Sequence, residues 1–231
     1  MYFDPIYLCI MAPAFLLMMF AQLWVSSTYK KWSGIGNSAR VSGAETANRL
    51  IRYGGLHEVR VEPTGGNLTD HYDPRRKTLH LSRGVYEPIS VSAMAIAAHE
   101  LGHAMQDKED YFPLNLRSAL VPVVNIGSTL GWILIIIGLM LQVTNIAWLG
   151  VAAFGTGALF ALATLPVELN ASSRAKALLA ESGLIQTQQD QDGVDAVLRA
   201  AAFTYVATLA TALLQLLYWV LRVSGSSSRR R

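Results

Sequence analysis

The chain has 231 residues, of which 52% are hydrophobic and only 15% charged. Soluble domains carry about 25% charged residues, so this composition excludes an ordinary soluble globule and points to a membrane protein. A net charge of +3 spread over scattered basic residues excludes a nucleic-acid-binding stripe, and the single cysteine, Cys9, excludes an intrachain disulfide framework and a thiolate metal site.

Four apolar stretches account for the excess, at 6–25, 121–141, 146–165 and 200–223. Each approaches the ~20 residues a helix needs to cross a hydrocarbon layer about 30 Å thick. The first has no basic segment before it and no small-residue cleavage site after it, and Trp24, Lys30, Lys31 and Trp32 follow as an interfacial collar. It reads as an uncleaved N-terminal anchor over 1–29 rather than a signal peptide.

A polar region over 30–120 comes next. Ser42 and Glu45 form a Ser-x-x-Glu capping box, which predicts a short helix over 46–51 ended by Gly54 and Gly55. Residues 56–62 alternate apolar and polar and read as a strand, with a turn at 63–66. Residues 70–76 read as a tight polar connection into a second strand over 78–82, so two strands make a small sheet. Ser90 or Ser92 can cap the following helix, which is expected to end near Asp107.

That helix carries His99, Glu100, Leu101, Gly102 and His103, an H-E-x-x-H pentad. Residues four apart lie on the same helix face, so both histidines can present imidazoles to one Zn²⁺. Glu100 stands beside the first ligand, where its carboxylate can take the proton of a water whose pKa zinc lowers from about 15.7 to about 7. Two surface histidines on an ordinary helix would give the same pentad.

A catalytic zinc site has three protein ligands and an open position. The chain has five histidines, His57, His71, His80, His99 and His103, and none of the first three is well placed to be the third ligand. A carboxylate is the other choice. Glu168 is the first candidate, because it lies just past the third apolar stretch, after Pro166 and before the small residues Ala171, Ser172 and Ser173 that let another helix approach. Pro166 marks a kink or helix restart there. Glu181 is the rival. The remainder divides into a transmembrane hairpin over 121–165, a helical segment over 166–199 bearing the third ligand, a C-terminal transmembrane helix over 200–223 and a disordered tail over 224–231.

Three blocks together carry a resemblance. They are Asp70, His71, Tyr72, Asp73 and Pro74; the run from Ala97 through the pentad to Ala104, Met105 and Gln106; and the run from Leu165, Pro166, Val167 and Glu168 through Asn170 and Ser172 to Arg174 and Ala175. In this order they resemble the YugP-type membrane zinc metallopeptidases over essentially the whole chain. The resemblance implies a mainly α integral-membrane protein of about four transmembrane helices with a small α+β zincin-like catalytic domain. It also implies a gluzincin-like zinc site of His99, His103 and Glu168, in a multi-pass bacterial cell-membrane protein. More distantly the chain is similar to HtpX-type membrane peptidases, which carry an aspartate four residues after the third ligand. Here that residue is Ser172, so Asn170 and Ser172 are the candidates to orient ligands.

Peptide hydrolysis also needs a donor to the developing oxyanion, a group that contributes roughly 3 kcal/mol in other hydrolases. His71, Tyr72 and Arg174 are the candidates. His71 could equally be a turn histidine bonded to Asp70 or Asp73, and Arg174 could equally pair with a carboxylate or a lipid phosphate. Gln106 lies one turn beyond His103 and either bonds into the site or caps the helix. If the strand over 78–82 is a sheet edge, an extended peptide can add to it through main-chain hydrogen bonds.

Lys30, Lys31, Arg40, Lys108, Arg117, Arg174 and Lys176 share one side if all four stretches span, which favours a cytoplasmic catalytic side. Arg222, Arg229, Arg230 and Arg231 argue the other way, and the fourth stretch could lie in the membrane without spanning it. Three functional readings stand. The first is a membrane zinc endopeptidase acting on membrane-associated protein or peptide substrates within the lipid bilayer's reach, alone or in a larger membrane assembly, with no nucleic-acid partner. The second is an intramembrane protease using Asp192 and Gly193, which lack the prolines such a motif carries. The third is a zinc-stabilised membrane scaffold or adaptor without turnover, which would have no need of Glu100.

Overall fold

A computed structural model describes residues 4–228. Its elements are α1 (Pro5–Ser33), α2 (Gly43–Tyr53), β1 (Arg60–Thr64), β2 (His71–Asp73), β3 (Thr78–Ser82), α3 (Arg83–Tyr86), α4 (Val91–Lys108), α5 (Phe112–Met140), α6 (Thr144–Phe154), α7 (Thr156–Glu181) and α8 (Gln188–Ser228). Among the described residues the protein is mainly helical with one small sheet, and four helical segments are long and apolar enough to cross a membrane: α1, α5, α6 with α7, and α8. The helices outrun the apolar stretches that announce them. α8 continues to Ser228, while the expected disorder at 229–231 falls outside the described residues.

The chain divides into two compact units. One comprises residues up to Ala21, Asn115–Pro166 and the chain from Thr204 onward. Within it α5 and α6 pack backbone to backbone: a Cβ on Gly131 would lie 2.5 Å from the Phe154 nitrogen and 2.8 Å from the Gly150 oxygen. Lipid tails are as apolar as the helices, so small residues that allow close approach are what hold such a pair together. Ile135, Ala147, Val151 and Val223 form a buried cluster, and the Tyr218 hydroxyl donates to Asp4 at 3.1 Å. These contacts gather the start of α1, the α5–α6 turn and the end of α8 in one place.

The other unit comprises Gln22–Leu114 and Val167–Phe203. The capping box forms as the sequence requires: the Ser42 hydroxyl accepts from the Glu45 N–H at 3.1 Å and the Glu45 carboxylate accepts from the Ser42 N–H at 2.9 Å. Ser90 caps α4 by accepting from the Ala93 N–H. Leu50, Leu79, Leu81, Met94 and Leu101 are fully buried in one core, each contributing about 1.5–3 kcal/mol relative to exposure. Buried Asp190 ties the chain before α2 to the start of α8, accepting from the Ser38 N–H and hydroxyl and from the Gln186 and Thr187 N–H groups. Asp192 is bonded to Gln188 at 2.8 Å, and Gly193 packs on Trp32 and Val91, which is a structural setting for that pair.

The sheet corrects one expectation. It has three strands in the order β1-β3-β2, with β3 parallel to β1 and antiparallel to β2. The strand over 78–82 is therefore central and cannot receive a peptide at an edge. Thr78, Leu79, Leu81 and Ser82 are all buried, as a strand covered on both faces requires. The stretch expected as a connection, 70–76, holds the missing edge strand β2. Pro166 lies inside α7, and the helix interruption falls earlier, at Gly155.

Candidate metal centre

α4 and α7 supply the site. The first turns of α4 are buried and rich in alanine, and Gly102 faces α7 so closely that an added Cβ would overlap the Ala171 carbonyl oxygen and lie 3.0 Å from its carbon. This approach brings Glu168, one turn before Ala171, to the pentad. The Glu168 carboxylate oxygen Oε2 lies 3.3 Å from His99 Nε2 and 3.5 Å from His103 Nε2. One ligand atom from each of the three residues falls within 4.8 Å of the others. Their side chains are only 12%, 13% and 3% exposed for His99, His103 and Glu168.

The two carboxylate–imidazole distances fit zinc. Tetrahedral coordination with bonds of 2.0–2.1 Å needs donor atoms about 3.3–3.4 Å apart. The set of two imidazoles and one carboxylate is also one that zinc accepts. Both histidines turn Nε2 inward because their other nitrogens are engaged: His99 Nδ1 with the Ser172 hydroxyl at 3.2 Å, and His103 Nδ1 with Gln106 Oε1 at 3.0 Å. Burial alone would lower the His103 pKa, but the Glu168 carboxylate, joined by Glu100, outweighs it and holds the imidazole above its ordinary value. A cation is what that position favours.

Glu100 is half-buried beside His99, and its carboxylate makes no hydrogen bond or ion pair among the described residues. Gln106 is fully buried and donates through Nε2 to the Val167 carbonyl at 2.7 Å and to Asn170 Oδ1 at 2.9 Å. Arg174 Nε donates to the same Asn170 oxygen at 2.7 Å, and its terminal nitrogen pairs with Glu109 at 2.7 Å. That guanidinium holds the Glu109 carboxyl below its usual range.

The other candidates lie elsewhere in the unit. His71, on β2, is exposed, stacks on His80 with ring centroids 4.8 Å apart, and meets the Thr69 carbonyl through Nδ1 at 2.9 Å. Tyr72 donates to Asp107 at 2.7 Å, and Lys77 pairs with the same carboxylate oxygen at 2.6 Å. Burial and that bond to a carboxylate both push the Tyr72 hydroxyl well above its usual pKa. Glu181 lies at the end of α7, accepting from the Tyr53 hydroxyl at 3.3 Å. Asp107, expected only as the end of the helix, takes this role as the partner of Tyr72 and Lys77, and its place four residues after His103 on the same helix was the available signal.

A family model described as "Putative neutral zinc metallopeptidase" matches residues 7–224. The chain is also 44% identical over 205 residues to "Putative membrane protease YugP" of Bacillus subtilis (strain 168), an alignment covering 89% of this chain and 91% of that protein. No solved structure matches the chain. Two histidines and a buried glutamate converging at zinc-ligand spacing agree with a match that runs nearly from end to end: the chain belongs to the family described as "Putative neutral zinc metallopeptidase", and its cofactor is Zn²⁺.

Proposed function

We propose that this protein is an integral-membrane zinc endopeptidase that hydrolyses peptide bonds in membrane or membrane-proximal proteins, at the cytoplasmic face of a bacterial cell membrane. The observation that carries the reading is the convergence of His99, His103 and Glu168 beside an uncommitted Glu100. His99, His103 and Glu168 would hold the metal. When bound, zinc supplies Lewis acidity that lowers the pKa of water and polarises a carbonyl.

The chain's own groups do the rest. Among the described residues Glu100 has no hydrogen-bond or ion-pair partner to compete for its carboxylate, so it can accept the proton of the attacking water and deliver it to the amine nitrogen as the peptide bond breaks. β2 is one of the sheet's two edges, and an extended substrate could add to it by main-chain hydrogen bonds. His71, carried by β2 and exposed, keeps its Nδ1 on the Thr69 carbonyl outside the metal cluster, so this reading assigns it no oxyanion role. Arg174 is committed to Asn170 and Glu109, which suits it to support of the site. The basic residues Lys30, Lys31, Lys108 and Arg117 favour the cytoplasmic orientation.

The test is cleavage of an unfolded protein by the purified zinc-loaded chain and by Glu100→Gln. The reading requires that the variant keep its zinc and lose turnover by about 10²–10⁴-fold. Equal turnover in the two would refute it. Zinc bound in both with turnover in neither, across varied membrane-protein substrates, would favour a zinc-stabilised scaffold.

A further inference from the structure

Gln106, Asn170 and Arg174 form a hydrogen-bonded chain whose direction can be read without knowing where any proton sits. An amide's nitrogen and oxygen are interchangeable in shape, so only neighbours with a single role fix its orientation. Both ends of this chain have such neighbours. The Val167 main-chain carbonyl can only accept, so the Gln106 group beside it at 2.7 Å must be the NH₂. Arg174 Nε can only donate, so the Asn170 atom 2.7 Å from it must be the oxygen, which then also accepts from Gln106 at 2.9 Å. Gln106 therefore turns its carbonyl oxygen to His103 Nδ1, 3.0 Å away, and that nitrogen must carry a hydrogen. A neutral imidazole protonated at Nδ1 keeps its lone pair on Nε2, the atom that faces Glu168.

We propose that Gln106 is a positioning residue that fixes His103 in its metal-binding tautomer, and that Arg174, acting through Asn170, locks the Gln106 amide in the orientation that does so. The inference rests on the zinc-peptidase reading of the site. His99 is held differently. Its Nδ1 meets the hydroxyl of Ser172 at 3.2 Å, and a hydroxyl can rotate to donate or accept, so it imposes no tautomer. The two ligands are thus unequal: His103 is pinned from α7, and His99 is merely satisfied. Gln106 is also fully buried, so its amide cannot exchange these partners for solvent. Arg174 is anchored on its far side by Glu109 at 2.7 Å and lies over the Tyr111 ring at 5.8 Å, which limits its freedom to leave Asn170.

The experiment is a zinc-affinity cycle on the full chain in detergent, with Zn²⁺ competed against a chromophoric chelator. Loss of a partner that orients a ligating histidine typically weakens metal binding by about 10–100-fold. Gln106→Met, which keeps the volume and removes the amide, is expected to fall in that range, and Ser172→Ala below it. Arg174→Met is expected to weaken zinc by up to about tenfold, the lower end of the same range. In the Gln106→Met background Arg174→Met should add nothing, because the amide it orients is gone. Arg174→Lys gives a separate check that leaves the buried core alone. Lysine can still pair with Glu109 but has no second donor fixed toward Asn170, so it should behave like methionine. Thermal unfolding of the metal-free variants separates ligand positioning from misfolding. Unchanged zinc affinity in Gln106→Met, additive losses in the double variant, or wild-type affinity in Arg174→Lys would each overturn the inference while the zinc site stands. Failure of the wild-type chain to bind Zn²⁺ would remove both.

Discussion

Gly102 and Ala171 mark the place where α4 and α7 touch through their backbones: a Cβ on Gly102 would overlap the Ala171 carbonyl oxygen. No flexible side-chain end is there to yield, so a larger residue must move a helix. Glu168, the α7 member of the metal set, lies one turn before Ala171 and would move with it. Gly102→Ala is expected to destabilise the metal-free protein by about 1–3 kcal/mol, the usual cost of overpacking. Zinc affinity should fall as well, because the ligand atoms at 3.3 and 3.5 Å would separate. A thermal melt beside a zinc titration checks both, and wild-type zinc affinity in Gly102→Ala would show that the helix spacing does not set the site.

Glu168→Gln tests the proposed third ligand apart from its neighbours. Glutamine keeps the shape but brings no negative charge to a position facing two imidazoles, with an exposure of only 3%. Zinc occupancy of the purified chain, measured by elemental analysis, should drop to a small fraction of the wild-type value, whereas Glu100→Gln should retain it. Full occupancy in Glu168→Gln would mean that another carboxylate is the third ligand.

Much of this site is legible in the sequence because its signals are local. The capping box of Ser42 and Glu45, the cap at Ser90 and the pairing of His99 with His103 each need only a few consecutive residues and a helix's geometry. The approach of Glu168 to the two histidines was reachable because it follows an apolar stretch and precedes small residues. β2 was not reachable, since three polar residues show no alternation and their strand exists only through pairing with β3. For the same reason the sequence could not show whether β3 was an edge. The break at Gly155 in place of Pro166 reflects a proline accommodated inside a membrane helix, where its missing donor and ring are tolerated. Arg174 could not be assigned from sequence either: Asn170 lies one turn before it on α7, but Glu109, 65 residues away in the chain, meets it only after folding.

Tyr72 joins the β2 edge to the helix of the pentad through Asp107. Tyr72→Phe removes that donor and leaves Lys77 as the partner of the Asp107 carboxylate. The expected loss is modest, about 0.5–1.5 kcal/mol of unfolding free energy, with zinc affinity unchanged. Peptide turnover is expected to fall more than stability if β2 seats the substrate, through a raised KM. A denaturant series and steady-state kinetics on the same preparation measure the two. A variant with normal KM would argue against β2 as the substrate edge.

His103 gives the metal site a pH dependence whose sign differs between the metal-free and zinc-loaded protein. Burial opposes its protonation, yet Glu168 and Glu100 raise its pKa above the ordinary 6.5. In the metal-free chain the protonated imidazole beside Glu168 therefore stabilises the fold at pH below the unfolded value of 6.5. That contribution is lost as pH rises through the raised folded value. Zinc needs the same nitrogen without its proton, so its affinity must fall as the site becomes protonated. The increase in Tm on adding Zn²⁺ is then expected to be small in acid and to grow as pH rises through the folded pKa of His103, because stabilisation by a ligand follows its affinity. Parallel thermal melts of metal-free and zinc-saturated protein across this window provide the measurement. A zinc-induced shift that stays constant from acid to neutral pH would mean that no proton leaves His103 when zinc binds, and His103 would then be no ligand.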